Sequence, residues 1–168
     1  MLWDDTPNAG FSSNISAGTD QVSSEFKTNN IKRELRNNNS RINLLKKLIN
    51  LKLRASTLIF GHTYMTVPMT NSFAIARYLI NDDKSDSIGR GVYIYGKVFI
   101  FVANFGSSIV HQSLVDIPIF QFPHAYRKGK VVTFNSNARF RFRLHQKIDL
   151  KNPSITLGPN EGVVLCVS

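Results

Sequence analysis

The chain has 168 residues, 42% of them hydrophobic, and this combination of length and apolar content excludes a disordered protein. Its 21 Lys and Arg against 11 Asp and Glu give a net charge of +10, which permits an anionic partner without identifying one. The apolar runs are far shorter than the roughly 20 residues that cross a bilayer, so the sequence predicts no membrane span.

The first 40 residues are rich in Asn, Ser and Asp, a composition typical of a long surface loop. The opening stretch, MLWDDTPNAGFSSN, has neither the positive start nor the apolar run of a secretory signal peptide. Asn14 and Asn38 each begin an Asn-x-Ser glycosylation sequon, which becomes meaningful only if the chain enters the secretory route.

The next segment, RINLLKKLINLKLR, has the periodicity of an amphipathic helix, with Ser40 placed to act as its N-cap. We therefore predict a helix from Ser40 to Arg54. No second helix in the sequence is available to receive its apolar stripe, so the helix either packs on the β-sandwich or belongs to a larger body outside this chain. We favour the larger body, which predicts that the stripe is partly uncovered in this chain alone. The stripe consists of Ile42, Leu45, Leu48 and Ile49, widened by Leu44 and Leu51.

From Thr57 onward, short apolar or aromatic runs alternate with turn signals, a pattern that predicts an antiparallel β-sandwich. The run GKVFIFVANFG is apolar at nearly every position, which indicates a central strand covered on both faces. The predicted strands are Leu58–Phe60, Phe73–Ile80, Lys97–Phe105, Ser108–Val115, Val131–Phe134, Ala138–Leu144, Ile155–Leu157 and Val163–Val167.

Few residues suggest a metal or cofactor site. Cys166 is the only cysteine, which excludes an internal disulfide, and its apolar neighbours predict an inert strand cysteine. The four histidines, at positions 62, 111, 124 and 145, are widely spaced and lack metal-ligand spacing. We predict no metal and no cofactor.

Four segments in collinear order resemble the α-glucosidases of glycoside hydrolase family 13, in particular the insect-type maltases. Residues 2–12, LWDDTPNAGFS, resemble the family segment QWDDxxNAGFS, and residues 22–31, VSSEFKTNNI, are similar to VNPNYKTLNV. Residues 44–52 are similar to the eighth barrel helix of the family, with its YKKL core. Residues 157–165, LGPNEGVVL, are similar to the end of the family's closing β-domain.

The resemblance implies a mainly β chain, in which an antiparallel β-sandwich C-terminal domain follows a loop and one amphipathic helix left from a (β/α)8 barrel. Residues 1–56 would be the end of the catalytic barrel and residues 57–168 the β-domain. The remaining barrel, upstream of Met1, would cover the helix. In the full-length parent, an extracellular or cell-surface enzyme, the partner would be an oligosaccharide substrate.

The resemblance also implies a function for the first loop, where Trp3, Asp4 and Phe11 would border the sugar pocket. The alternative is that Trp3 and Phe11 anchor this loop while Asp4 caps a turn. The parent would hydrolyse terminal α-linked glucose with carboxylates from barrel strands upstream of Met1. The resemblance therefore implies no catalytic residue in this chain, and we expect the fragment alone to be inactive.

Two other function classes remain open. Heavy chains of amino-acid transporters have a non-catalytic glucosidase-like ectodomain, of which this chain could be a piece. A basic β-domain that binds nucleic acid is the second alternative, because Arg139–Arg143 alternates basic and aromatic residues near Arg127, Lys128 and Lys130. On a strand, however, the rings of Phe140 and Phe142 would point away from the guanidiniums and into the core. This arrangement argues against a nucleic-acid partner, and we predict none.

Overall fold

A computed structural model describes residues 1–13, 22–81, 93–121 and 126–168 of the chain. These residues divide between two units, Met1–Lys47 and Leu48–Ser168. The predicted glycosylation site at Asn14 and the histidine at position 124 lie outside the described residues. In the part that the structure describes, no helix combines the length and the apolar character needed to cross a membrane.

The first unit begins with an extended segment that is held against helix α1, Ile31–Arg36. The backbone N–H of Ile31 donates to the Leu2 carbonyl at 3.0 Å, and that of Lys32 donates to the Trp3 carbonyl at 3.0 Å. Short 3-10 turns cover Pro7–Gly10 and Ser24–Lys27. The loop-like composition therefore contains local turns fixed by backbone hydrogen bonds.

Helix α2 covers Arg41–Arg54 and confirms the predicted amphipathic helix. The Asn43 N–H donates to the Ser40 hydroxyl oxygen at 3.2 Å, as expected of an N-cap. No residue of α2 is buried, and the exposed apolar side chains include Leu45, Ile49 and Leu53. The prediction of a partly uncovered stripe is confirmed.

The predicted strand Leu58–Phe60 is wrong, because these residues belong to helix α3, Ser56–Phe60. The Thr57 hydroxyl donates to the Lys97 carbonyl at 2.9 Å, and the Gly61 N–H donates to the Thr57 carbonyl at 3.0 Å. A three-residue apolar run does not distinguish a helix from a strand by periodicity, so contacts distant in sequence decide between them.

The second unit contains a six-stranded antiparallel sheet in the order β1-β2-β3-β8-β5-β6 and a two-stranded antiparallel sheet of β4 and β7. Strand β3 is interior, as predicted. The strands are β1 His62–Met65, β2 Ser72–Asn81, β3 Tyr93–Asn104, β4 Val110–Ser113, β5 Lys128–Phe134, β6 Lys147–Asp149, β7 Ser154–Leu157 and β8 Gly162–Val167.

One face of the six-stranded sheet forms the core of the second unit. Along β2, Ala74, Ala76 and Tyr78 are buried while the residues between them are half-buried, which is the period-two pattern of a sheet with two unequal faces. Ile100 on β3 and Leu157 on β7 are fully buried in the same cluster. Both sheets thus contribute to one core, and the face of the larger sheet opposite this core is called the outer face below.

The predicted strand Ala138–Leu144 is also wrong. A 3-10 helix covers Ser136–Phe140, and its start is capped by Asn135, whose side-chain oxygen accepts from the Ala138 N–H at 3.2 Å. Phe142 is 5% exposed whereas Phe140 is 86% exposed, so the two rings do not share a buried face. The two short edge strands, β1 and β6, lack an apolar run and were not predicted.

Candidate functional site

The predicted pocket-border loop closes on itself through backbone contacts. The N–H groups of Trp3 and Asp4 both donate to the Ala9 carbonyl, at 2.9 and 3.2 Å. Asn8, Ala9 and Gly10 have φ angles of 60, 54 and 70°, in the left-handed region that glycine and asparagine tolerate best. Ala9 is buried. The loop is therefore a defined turn with its own packing.

Asp4 caps this turn. Its Oδ1 accepts a hydrogen bond from the Thr6 N–H at 2.9 Å and another from the Thr6 hydroxyl. These two donors, the hydroxyl foremost, lower the pKa of the Asp4 carboxyl below its usual range. The same carboxylate lies against Gly10, where an added Cβ would stand 2.7 Å from Oδ1. The turn-capping role proposed as one alternative for Asp4 is present in the structure.

The two aromatic residues of the loop are accessible. Trp3 is 47% exposed and Phe11 is 72% exposed, so both rings present apolar surface to solvent. The neighbouring acid, Asp5, faces Lys32, with 3.6 Å between Oδ1 and Nζ. The carboxylates of Asp4 and Asp5 thus have different partners and do not form a facing pair. The border role of Trp3, Asp4 and Phe11 stays a prediction.

Other carboxylates with contacts in the described residues are held by donors. Glu34 accepts from Arg41 at 3.3 Å, and Asp149 accepts from the Lys151 N–H at 2.9 Å. Glu161, which is buried, accepts from Arg141 Nε at 2.9 Å. Across the described ranges there is no group of three His, Cys, Asp or Glu side chains placed to hold a metal ion. These contacts are structural hydrogen bonds and ion pairs.

Cys166 lies on β8 and its thiol is half-buried. Burial raises the pKa of this thiol, and the positive charges of Lys97 and Lys130 partly oppose the increase. A raised pKa keeps the group in its protonated, poorly nucleophilic form. This environment agrees with the predicted inert strand cysteine.

A cavity that the sequence did not indicate lies within the second unit, with a volume of about 480 Å³. The end of α2 contributes Leu51 and Arg54, and the β2–β3 pair contributes Tyr95, Lys97 and Phe99. No local motif marks these residues, because strand pairing alone brings Leu79 and Tyr95 opposite each other beside the helix end. Two cationic side chains on apolar walls give the cavity a positive character.

No family model matches this chain, and no curated protein matches it in sequence. Solved structures match it in fold. An isomaltulose synthase mutant from Erwinia rhapontici NX5, in complex with D-glucose, has a TM-score of 0.69 and 21% identity over 100% of this chain and 24% of its own. Trehalose-6-phosphate hydrolase (TreA) from Bacillus licheniformis has a TM-score of 0.68 and 19% identity, with coverages of 100% and 25%. A MutB point mutant from crystals soaked with trehalulose has a TM-score of 0.69 and 18% identity, with coverages of 99% and 24%.

These likenesses define the class of fold. The chain has the fold of about one quarter of the length of these enzymes, and it is matched over essentially its whole extent. This confirms a mainly antiparallel β chain preceded by a loop and an amphipathic helix.

Proposed function

We propose that this chain is the C-terminal part of an α-glucosidase of glycoside hydrolase family 13, a maltase that hydrolyses terminal α-linked glucose. The observation that carries the proposal is the fold match: the whole chain matches a quarter of several enzymes whose names describe synthesis or hydrolysis of disaccharides. The resemblance of residues 2–12 to the family segment supports the same assignment. The acidic residues that break the glycosidic bond would lie on the part of the enzyme outside this chain.

Retaining hydrolysis requires two carboxyl groups about 5 to 5.5 Å apart, one as nucleophile and one as acid/base. In this chain, Asp4 is engaged by Thr6 and Asp5 by Lys32, so their contacts suit a supporting role. The turn held by Asp4 presents the exposed rings of Trp3 and Phe11. In the complete enzyme we propose that these rings supply an apolar wall to the sugar, because loops at the carboxyl end of barrel strands form the pocket.

The activity of the isolated chain is the first test. Purified protein incubated with 4-nitrophenyl α-glucoside is expected to release no nitrophenol above a buffer control. Turnover by the isolated chain would contradict the proposal. The second test is to sequence the transcript upstream of Met1, where we expect to find barrel strands with acidic residues at their ends. A transmembrane helix there instead would assign the chain to the transporter heavy chains.

The pocket border is tested in the complete enzyme with Trp3→Ala and Phe11→Ala. Each is expected to raise the KM for maltose about tenfold, equivalent to about 1.4 kcal/mol of lost binding, while kcat changes little. Leu35→Ala is the matched control, because Leu35 is an exposed apolar side chain of the same unit. An unchanged KM in both aromatic variants would remove the border role and leave Asp4 as a turn cap only.

We also propose that the parent enzyme is extracellular or at the cell surface and that Asn38 is glycosylated. Asn38 is exposed, which leaves room for a glycan, while the hydroxyl of its sequon serine, Ser40, caps α2. In a secretory expression host, removal of N-glycans with a glycosidase should increase the gel mobility of the protein, and Asn38→Gln is expected to remove the part of this shift that comes from one glycan. Asn39→Gln is the matched control, because it leaves the sequon intact. An identical shift in both variants would exclude glycosylation at Asn38.

A further inference from the structure

The outer face of the six-stranded sheet gathers lysines from three strands. Strand pairing places Lys130 directly opposite Lys147 on one side and Cys166 on the other, and Cys166 in turn opposite Phe99. Directly paired residues share a face, and so do alternate residues of one strand. Lys128 lies two residues before Lys130, and Lys97 two residues before Phe99. These four lysines, at positions 97, 128, 130 and 147, are called the lysine face.

The alternation of burial confirms this placement. All four lysines of the face are exposed, whereas Gly129 and Val131, on the other side of β5, are buried. Among the described residues none of the four forms an ion pair. Asp149 is paired opposite Lys128, but its Oδ1 accepts from the Lys151 N–H. Four lysines against the single carboxylate of Asp149 therefore leave the face with an excess of positive charge.

The pairing of Lys130 with Lys147 is unfavourable by itself, because like charges directly opposite each other on adjacent strands repel. Adjacent strands lie about 4.8 Å apart, and alternate residues of a strand about 6.8 Å apart. A single polyanion long enough to span several of these lysines would offset the repulsion between their ammonium groups. The positive character continues past Lys97, which also lines the cavity that contains Arg54.

The composition of residues 48–168 supports a polyanionic partner. They include fourteen Lys and Arg but six Asp and Glu, and glucosidase chemistry on a neutral sugar does not require this excess. Lys97 and Lys130 also act on the Cys166 thiol, whose pKa they lower against the larger effect of burial. The charges of two different strands therefore converge on one region of the sheet.

From this arrangement we propose that the lysine face binds a linear acidic polysaccharide, one that carries sulfate or carboxylate groups along its chain. Single-stranded nucleic acid is disfavoured because its binding surfaces combine cations with exposed aromatic rings on which bases stack. On this face the exposed rings, Tyr95 at 49% and Phe101 at 36%, lie on β3 alone, and β5 and β6, which hold three of the four lysines, present no aromatic ring there. Lysine ammonium groups are point charges, suited to a row of sulfates or carboxylates.

Heparin is the probe for this proposal, with the full 168-residue chain and titration calorimetry at several salt concentrations. We expect saturable binding whose affinity falls linearly with the logarithm of salt. The double substitution Lys130→Gln/Lys147→Gln is expected to weaken binding about tenfold and to reduce the salt slope by about two. Lys130→Arg/Lys147→Arg, which keeps both charges, is expected to bind as the wild type does.

The matched control is Lys46→Gln/Lys52→Gln, which removes the same charge from exposed positions on α2. An equal loss of heparin binding in this control and in the sheet variant would overturn the proposal, because net charge alone would explain the effect. Tighter binding to an oligothymidylate of matched charge, or to phosphatidylserine vesicles, would overturn it in favour of nucleic acid or membrane. Heparin binding is measured without a glucoside, so its failure leaves the glucosidase proposal unaffected.

Discussion

Removal of the Glu161 carboxylate is expected to destabilise the unit Leu48–Ser168. Glu161 is 8% exposed and lies just before β8. Its Oε2 accepts from the Gly158 N–H at 2.6 Å and from Arg141 Nε at 2.9 Å. This single oxygen therefore joins the β7–β8 turn to the segment that follows β5.

The expected magnitude follows from what each substitution leaves behind. Glu161→Ala leaves the buried Gly158 N–H without its acceptor, at a cost of about 1–3 kcal/mol, and also removes a charge-assisted hydrogen bond. We expect a total of about 3 kcal/mol. The Arg141 side chain is 37% exposed. In Arg141→Ala the carboxylate keeps the Gly158 N–H, so we expect a smaller loss of about 1.5 kcal/mol.

Urea unfolding followed by circular dichroism measures the loss of stability in both variants. In a thermal melt, the loss of about 3 kcal/mol expected for Glu161→Ala corresponds to a fall in melting temperature of roughly 6–12 °C. Arg143→Ala is the matched control, because Arg143 is an exposed arginine of the same segment, and its effect should stay within about 0.5 kcal/mol. A change in stability of less than about 0.5 kcal/mol in Glu161→Ala would refute the role of this carboxylate. A larger loss in Arg141→Ala than in Glu161→Ala would refute it as well.

Three further outcomes are expected. Thr6→Val removes the hydroxyl donor, so the pKa of Asp4 should rise toward its usual value in a carboxyl NMR titration. Because folding lowers this pKa, the ionised Asp4 stabilises the fold above its unfolded-state pKa, and this contribution is lost as pH falls through its folded-state pKa. Gly10→Ala should cost about 1–3 kcal/mol in thermal unfolding, because φ is 70° and the new Cβ would meet the Asp4 carboxylate. Leu165→Ala, at a fully buried position, should cost about 2–5 kcal/mol in urea unfolding, whereas Leu144→Ala, at an exposed one, should stay within about 0.5 kcal/mol.

The elements that the sequence predicted correctly are those whose signal lies within one segment. Alternation along β2 and the continuous apolar run of β3 follow from the two faces of a strand. Helix α2 follows from its 3.6-residue periodicity and from the Ser40 cap. These patterns are local, because one residue and its near neighbours in the chain determine which face a side chain occupies.

The wrong predictions concern segments whose local signal was ambiguous. The strand predicted at Ala138–Leu144 overlooked Asn135, whose placement before Ser136 is a helix-start signal. For Leu58–Phe60 no comparable signal exists, since the decisive contact joins Thr57 to Lys97, 40 residues away. Short edge strands such as β1 and β6 are likewise defined by the strand beside them.

The sequence by itself determined the class of fold, because apolar periodicity indicates which segments form helices or strands and which side of each is buried. The tertiary structure alone decided which side chains share a surface. Lys97, Lys130 and Lys147 belong to three strands, and they meet because the chain pairs β8 between β3 and β5. The choice of which strands pair is a long-range property, decided by core packing and by backbone hydrogen bonds between segments far apart in the chain, and no local pattern encodes it.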